Sequence, residues 1–157
     1  MVGLGNGKIY IIDSTIYNVD PDSVAISEEG TKYIEFDITN QFTRKTNCGI
    51  DVDYFPGASG WAIGLEERYD VVTIEILEPT RATMKLLQKF ITLHSKTSDA
   101  QLYLIIRHGA SDYETFYDDN RVEREYLMGW ITGDIIWRYA TRNQFYNTTL
   151  TFSGVWT

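Results

Sequence analysis

Three short stretches of this chain carry side chains able to do chemistry. Residues 102–112 read Leu-Tyr-Leu-Ile-Ile-Arg-His-Gly-Ala-Ser-Asp, an apolar strand that ends in Arg107, His108 and Gly109. A histidine at a strand end can act as a nucleophile, and an adjacent arginine can hold a phosphate. Gly3-Leu4-Gly5-Asn6-Gly7 has the composition of a phosphate-cradling loop. Such a loop has to lie between a strand and a helix N-terminus, and here a strand pattern follows it. It therefore reads as a turn-forming arm. Asp51 and Asp53, and the run Asp118-Asp119-Asn120, offer oxygen ligands without the spacing of a calcium loop. They read as acidic turn residues. Cys48 is the single cysteine and His94 the other histidine, which excludes an internal disulfide and a Cys/His zinc cluster. No metal site and no cofactor is expected.

The elements that position these residues follow from periodicity. Alternation of apolar and polar residues marks strands at Lys8–Ile12, Val24–Ile26 and Tyr33–Ile38. Residues 40–60 read as a long loop or an extended hairpin, with Trp61–Leu65 returning as a strand. Val71–Leu77 is the strongest central strand. After it, Glu78-Pro79-Thr80 switches the period. Met84, Leu87, Phe90, Ile91 and His94 then recur at helical steps, which predicts one amphipathic helix over residues 80–94. From residue 101 the period returns to two, with strands at Gln101–Arg107, Glu114–Tyr117, Val122–Met128, Ile135–Tyr139 and Phe145–Phe152. The order is strands, one helix, then strands, without alternating βα units. The expected fold is a single domain, residues 1–157, mainly β: a largely antiparallel β-sandwich or barrel with one flanking helix.

Net charge is −8 and aromatics make up 14% of the chain. The charge argues against binding nucleic acid by phosphate neutralisation and favours solubility. Residues 1–10 lack the charged start and long apolar run of a signal peptide, and no stretch approaches the about 20 apolar residues of a membrane helix. No membrane anchor is expected, and folding in a reducing cytoplasm is.

The Arg107-His108-Gly109 strand end resembles the opening signature of the histidine phosphatase and phosphoglycerate mutase family. The resemblance implies His108 as nucleophile, Arg107 as phosphate clamp and Ser111 as a further phosphate contact. The chain departs from that pattern with Ala110 after the glycine and Glu114 beyond it. It also has no later histidine and fewer than 50 residues left. The match therefore reads as coincidental, and no catalytic residue is assigned.

The layout as a whole resembles tailed-bacteriophage tail tube-type structural proteins. What carries this is a β-sandwich or barrel with one helix, a long polar loop before the helix, and aromatic strand-like segments at 129–139 and 145–152. The resemblance implies a homo-oligomeric ring, hexameric and stacked, made in the host cytoplasm and carried in the virion. Its partners would be itself, other tail proteins, and DNA that passes without specific binding. Residues 43–60 would reach the next ring and Gly3–Tyr10 would be a contact arm. The expected assembly contacts are Arg44, Tyr54, Phe55, Trp61, Tyr117 and Trp137. Two other classes stay open: a β-sandwich module that stacks carbohydrate on Trp61 or Trp137, and a phosphatase-like enzyme using His108.

Overall fold

A computed structural model of the chain describes residues 7–13, 29–37, 41–47, 50–53, 61–64, 69–94, 102–109, 112–117 and 121–154. It is mainly β with one helix, as the periodicity predicts. The strands are β1 (Lys8–Asp13), β2 (Tyr33–Asp37), β3 (Phe42–Asn47), β4 (Ile50–Asp53), β5 (Trp61–Gly64) and β6 (Tyr69–Ile76). After helix α1 (Arg81–His94) come β7 (Leu102–Gly109), β8 (Asp112–Tyr113), β9 (Phe116–Tyr117), β10 (Glu123–Arg124), β11 (Leu127–Thr132) and β12 (Thr148–Gly154). The main sheet has the order β2-β1-β7-β11-β12-β6-β3, with β8 attached to β7 past a bulge. Every pairing between its named strands is antiparallel. β4 with β5, and β9 with β10, form two separate hairpins.

Burial follows the side-chain alternation. Val72, Ile74 and Ile76 of β6 point into the core, while Thr73 and Glu75 between them are half-buried. β1 and β7 are apolar on both faces. Ile9, Ile11, Leu102, Leu104 and Ile106 enter one core, and Tyr10, Ile12 and Ile105 enter a second on the opposite face. Strands buried on two sides lose the polar half of the alternation, which is why these two segments read as nearly continuous apolar runs. The first core is closed by Leu87 and Phe90 of α1 and by Phe116 of β9.

α1 starts where Thr80 caps it: the Thr80 hydroxyl accepts from the Thr83 amide at 3.4 Å. The corner before it is a left-handed residue, Glu78, at φ 40°. That conformation is held by the β11–β12 connection. Asn147 Oδ1 accepts from the Glu78 amide at 2.9 Å, and Gln144 Nε2 donates to the Glu78 carbonyl at 2.7 Å.

Three sequence expectations are corrected. Ile135–Tyr139 is not a strand: Ile135 and Trp137 pack against the first core, Ile136 is exposed, and only Tyr139 pairs, in an isolated antiparallel bridge to Phe145. Of the contact arm expected over Gly3–Tyr10, Lys8–Tyr10 belongs instead to the strand expected at Lys8–Ile12, because β1 lies between β2 and β7 with Ile9 and Tyr10 buried, and residues 3–6 lie outside the described ones. Residues 40–60, expected as a long loop or an extended hairpin, divide: Phe42–Asn47 is β3, the edge of the main sheet beside β6, while Ile50–Asp53 pairs with Trp61–Gly64 as a hairpin. Val24–Ile26 lies outside the described residues.

The β2 margin carries an acidic strain. Burial, then the neighbouring Glu35 carboxylate, pushes the Glu29 carboxyl above its ordinary value. A carboxyl raised in the folded state disfavours folding once pH exceeds that raised value, and the penalty vanishes below the ordinary value of 4.5. Glu29→Gln is therefore expected to raise the melting temperature slightly at pH 7 and leave it unchanged near pH 3.5. A thermal melt at the two pH values checks this, and a gain that persists at the acid end contradicts it.

Candidate assembly surface

Strands β2 and β3 end the main sheet, and among the described residues each has a strand partner on one side only. The hydrogen-bond phase of β3 can be read from its start. The Glu75 amide donates to the Gln41 carbonyl at 2.7 Å, and these residues lie opposite each other by the β3–β6 register. In an antiparallel pair such bonded positions alternate with unbonded ones. Thr43 and Lys45 therefore bond to β6. The amides of Phe42, Arg44 and Thr46 point away from it, toward the sheet margin. An edge of this kind is a template for another strand.

The Arg44 side chain fixes that margin. Its guanidinium turns over the sheet to three partners. Nη2 donates to Asp70 Oδ2 at 3.0 Å, Nη1 donates to Glu114 Oε2 at 3.3 Å, and the group lies 4.1 Å from the centre of the Phe116 ring. Glu114 and Phe116 follow β7, which is four places from β3 in the sheet order. The contact requires the sheet to curl until its β3 margin overhangs the β8–β9 turn. Glu114 also holds His108, Nε2 to Oε1 at 2.8 Å, and the His108 ring lies 6.0 Å from that of Phe42. Asp70 is 2% exposed. Neither acid is marked by local sequence, since Glu114 lies 70 residues from Arg44 and Asp70 lies 26 away.

The expected contact residues are dispersed. Arg44 is at the margin, but its charge is spent inward on Asp70 and Glu114. Tyr117, 55% exposed, projects from β9. Trp137 is half-buried against the core and meets Phe145 edge-on at 5.5 Å, so it forms a wall rather than a free stacking platform. Trp61 opens β5, with its side chain outside the described residues, as are Tyr54 and Phe55. The phosphate-site residues do not converge. Alternation along β7 sends His108 to the face of Leu104 and Ile106, and Arg107 to the opposite face with Ile105. Ser111 lies outside the described residues. The other histidine, His94, has its own partners: Nε2 sits 2.8 Å from the Thr31 carbonyl, and its ring lies tilted, 4.4 Å from that of Phe90.

Among the described residues no group of three or more His, Cys, Asp or Glu side chains could hold a metal ion. No helix among them is long and apolar enough to cross a membrane. A groove missed by sequence reading lies between α1 and residues 131–137. No family model matches the chain, and no curated protein or solved structure matches it.

Proposed function

We propose that this chain is a structural subunit of a viral tail tube or a related ring, self-assembling around a channel through which DNA passes. The observation that carries the reading is the open main sheet: β2 and β3 each have one strand neighbour among the described residues. Closure by identical copies would satisfy the outward amides of Phe42, Arg44 and Thr46 and extend the sheet from subunit to subunit. The β4–β5 hairpin, outside the main sheet, supplies a second element able to reach a neighbour. A net charge of −8 suits a channel wall that does not retain DNA. In this role the protein works mechanically, with no bond made or broken.

The test is negative-stain electron microscopy of the concentrated protein beside Thr46→Pro. Proline removes an outward donor and costs no bond to β6, so the variant keeps its fold. Hollow rings or rods are expected from the parent chain and none from Thr46→Pro. Dispersed single particles from the parent at high concentration, or intact rings from the variant, would overturn the reading.

A further inference from the structure

The two margins of the main sheet differ in charge. β3 carries Arg44 and Lys45 and no acid, and β2 carries Glu35 and Asp37 and no base. Contacts within the chain already hold one charge at each margin. Arg44 reaches Asp70 and Glu114, and Asp37 Oδ1 accepts from Lys8 Nζ at 2.7 Å. Lys45 is exposed and Glu35 half-buried, and neither makes an ion pair among the described residues. The nearby Glu29 carboxyl, raised by burial and then by Glu35, registers that uncompensated charge.

The two remaining charges share a face of the sheet. Ile34 and Phe36 enter the first core, Phe42 packs against it, and Arg44 lies over Phe116 of that core. Alternation therefore sends Glu35 and Lys45 to the opposite face. The hydrogen-bond phase of β2 follows from its start. The Asp13 amide donates to the Lys32 carbonyl at 3.0 Å, and the β1–β2 register sets these residues opposite each other. Lys32, Ile34 and Phe36 thus bond to β1, and the backbone groups of Glu35 and Asp37 point to the margin. On β3 the outward groups belong to residues of the first-core face, such as Arg44 and Thr46. On β2 they belong to residues of the other face. Antiparallel strands set their bonded residues directly opposite, on one face, so these edges do not join that way in a continuous sheet. Parallel strands bond each residue to the two that flank its lateral neighbour, which is the offset these edges present. Strand direction agrees: seven strands, each antiparallel to the next, leave β2 and β3 running the same way.

We infer that β3 of one copy pairs in parallel with β2 of the next, with Lys45 beside Glu35. A slip of two residues would set Lys45 beside Asp37, which Lys8 already holds, or beside the uncharged Tyr33. In the inferred register the Thr46 amide donates to the Glu35 carbonyl, and the Glu35 amide donates to the Arg44 carbonyl. The inference rests on the ring reading in that copies meet at sheet edges. It adds which edge meets which, and in what direction. Two different edges make a head-to-tail contact, which can close a ring, whereas two β3 edges would stop at a two-fold dimer.

Carbodiimide coupling of the concentrated full chain tests it, with ordinary and isotope-labelled copies mixed in equal amounts. Peptide mass spectrometry is expected to find an amide between Lys45 and Glu35 that joins a labelled to an unlabelled copy. Sedimentation equilibrium supplies the second arm. Lys45→Glu and Glu35→Lys are each expected to weaken association about tenfold per junction, because like charges then lie side by side. Their melting temperatures in dilute solution report on the fold. An equal mixture of the two variants is expected to associate as the parent does, since every junction between unlike variants again sets opposite charges together. Rings that yield no such cross-link, or that are indifferent to Glu35→Lys, would overturn the inference and leave the ring reading standing. Association strengthened by Lys45→Glu and untouched by Glu35→Lys would also overturn it, as the mark of a β3-to-β3 dimer. A parent chain that stays monomeric at every concentration would end both readings together.

Discussion

Arg44→Met is expected to lower the unfolding free energy by about 3 kcal/mol, although the residue sits on an edge strand. Ion pairs at exposed edges are ordinarily worth about 0–1 kcal/mol. The difference lies in Asp70, which is 2% exposed and whose Oδ2 accepts from Arg44 at 3.0 Å. Its other oxygen has no hydrogen-bond partner among the described residues. Removing the guanidinium leaves an uncompensated buried carboxylate and also uncovers the Phe116 ring. Glu114 contributes little to the figure, because it and Arg44 are each about one-third exposed on their side chains. The check is a double-mutant cycle in urea. Arg44→Met/Asp70→Leu, which removes both charges, is expected to recover most of the loss. A single-variant cost under about 0.5 kcal/mol would show that the contact behaves as an ordinary surface pair.

Gly129→Ala is expected to cost about 3 kcal/mol or more, at the upper end of overpacking effects. Gly129 of β11 lies directly opposite Gly154 of β12. A Cβ at 129 would collide with the Ser153 carbonyl oxygen and stand 2.8 Å from the Gly154 Cα. These are backbone atoms of the sheet's interior, with no rotamer to turn away, so the two strands must part. At Gly154 the atoms met belong to the Leu127 side chain, which can shift, so Gly154→Ala is expected to cost less. Thermal melts of the two variants decide it. Equal losses, or a Gly129→Ala melting temperature close to the parent's, would contradict the account.

The helix and β6 were legible because the hydrophobic period changes cleanly at Glu78-Pro79-Thr80, and packing then agrees with propensity: Met84, Leu87 and Phe90 are buried as the stripe requires. β3 was hidden. Phe42-Thr43-Arg44-Lys45-Thr46-Asn47 is polar in sequence because an edge strand meets solvent, and its one inward charge is paired by tertiary contact. Ile135–Tyr139 misled in the opposite direction. Its alternation is real, but its pairing is confined to the isolated Tyr139–Phe145 bridge, where the Arg138 carbonyl accepts from the Tyr146 amide at 2.9 Å, and upstream the Ile136 carbonyl accepts from the Thr148 side-chain hydroxyl at 2.6 Å instead of from a strand. The apolar residues freed from pairing became one wall of the groove. Of the expected contacts, Tyr117 is presented to solvent, while Arg44 and Trp137 are held by neighbours that only the fold brings close.

Residue-resolved amide hydrogen exchange along β3, in dilute and in concentrated protein, tests the central claim most directly. In the dilute chain the amides of Thr43 and Lys45, bonded to β6, are expected to exchange slowly, and those of Phe42, Arg44 and Thr46 quickly. On concentration the second set should become protected as a neighbouring strand takes them up. If Phe42, Arg44 and Thr46 are already slow in the dilute monomer, or stay fast when concentrated, the margin is not an assembly edge.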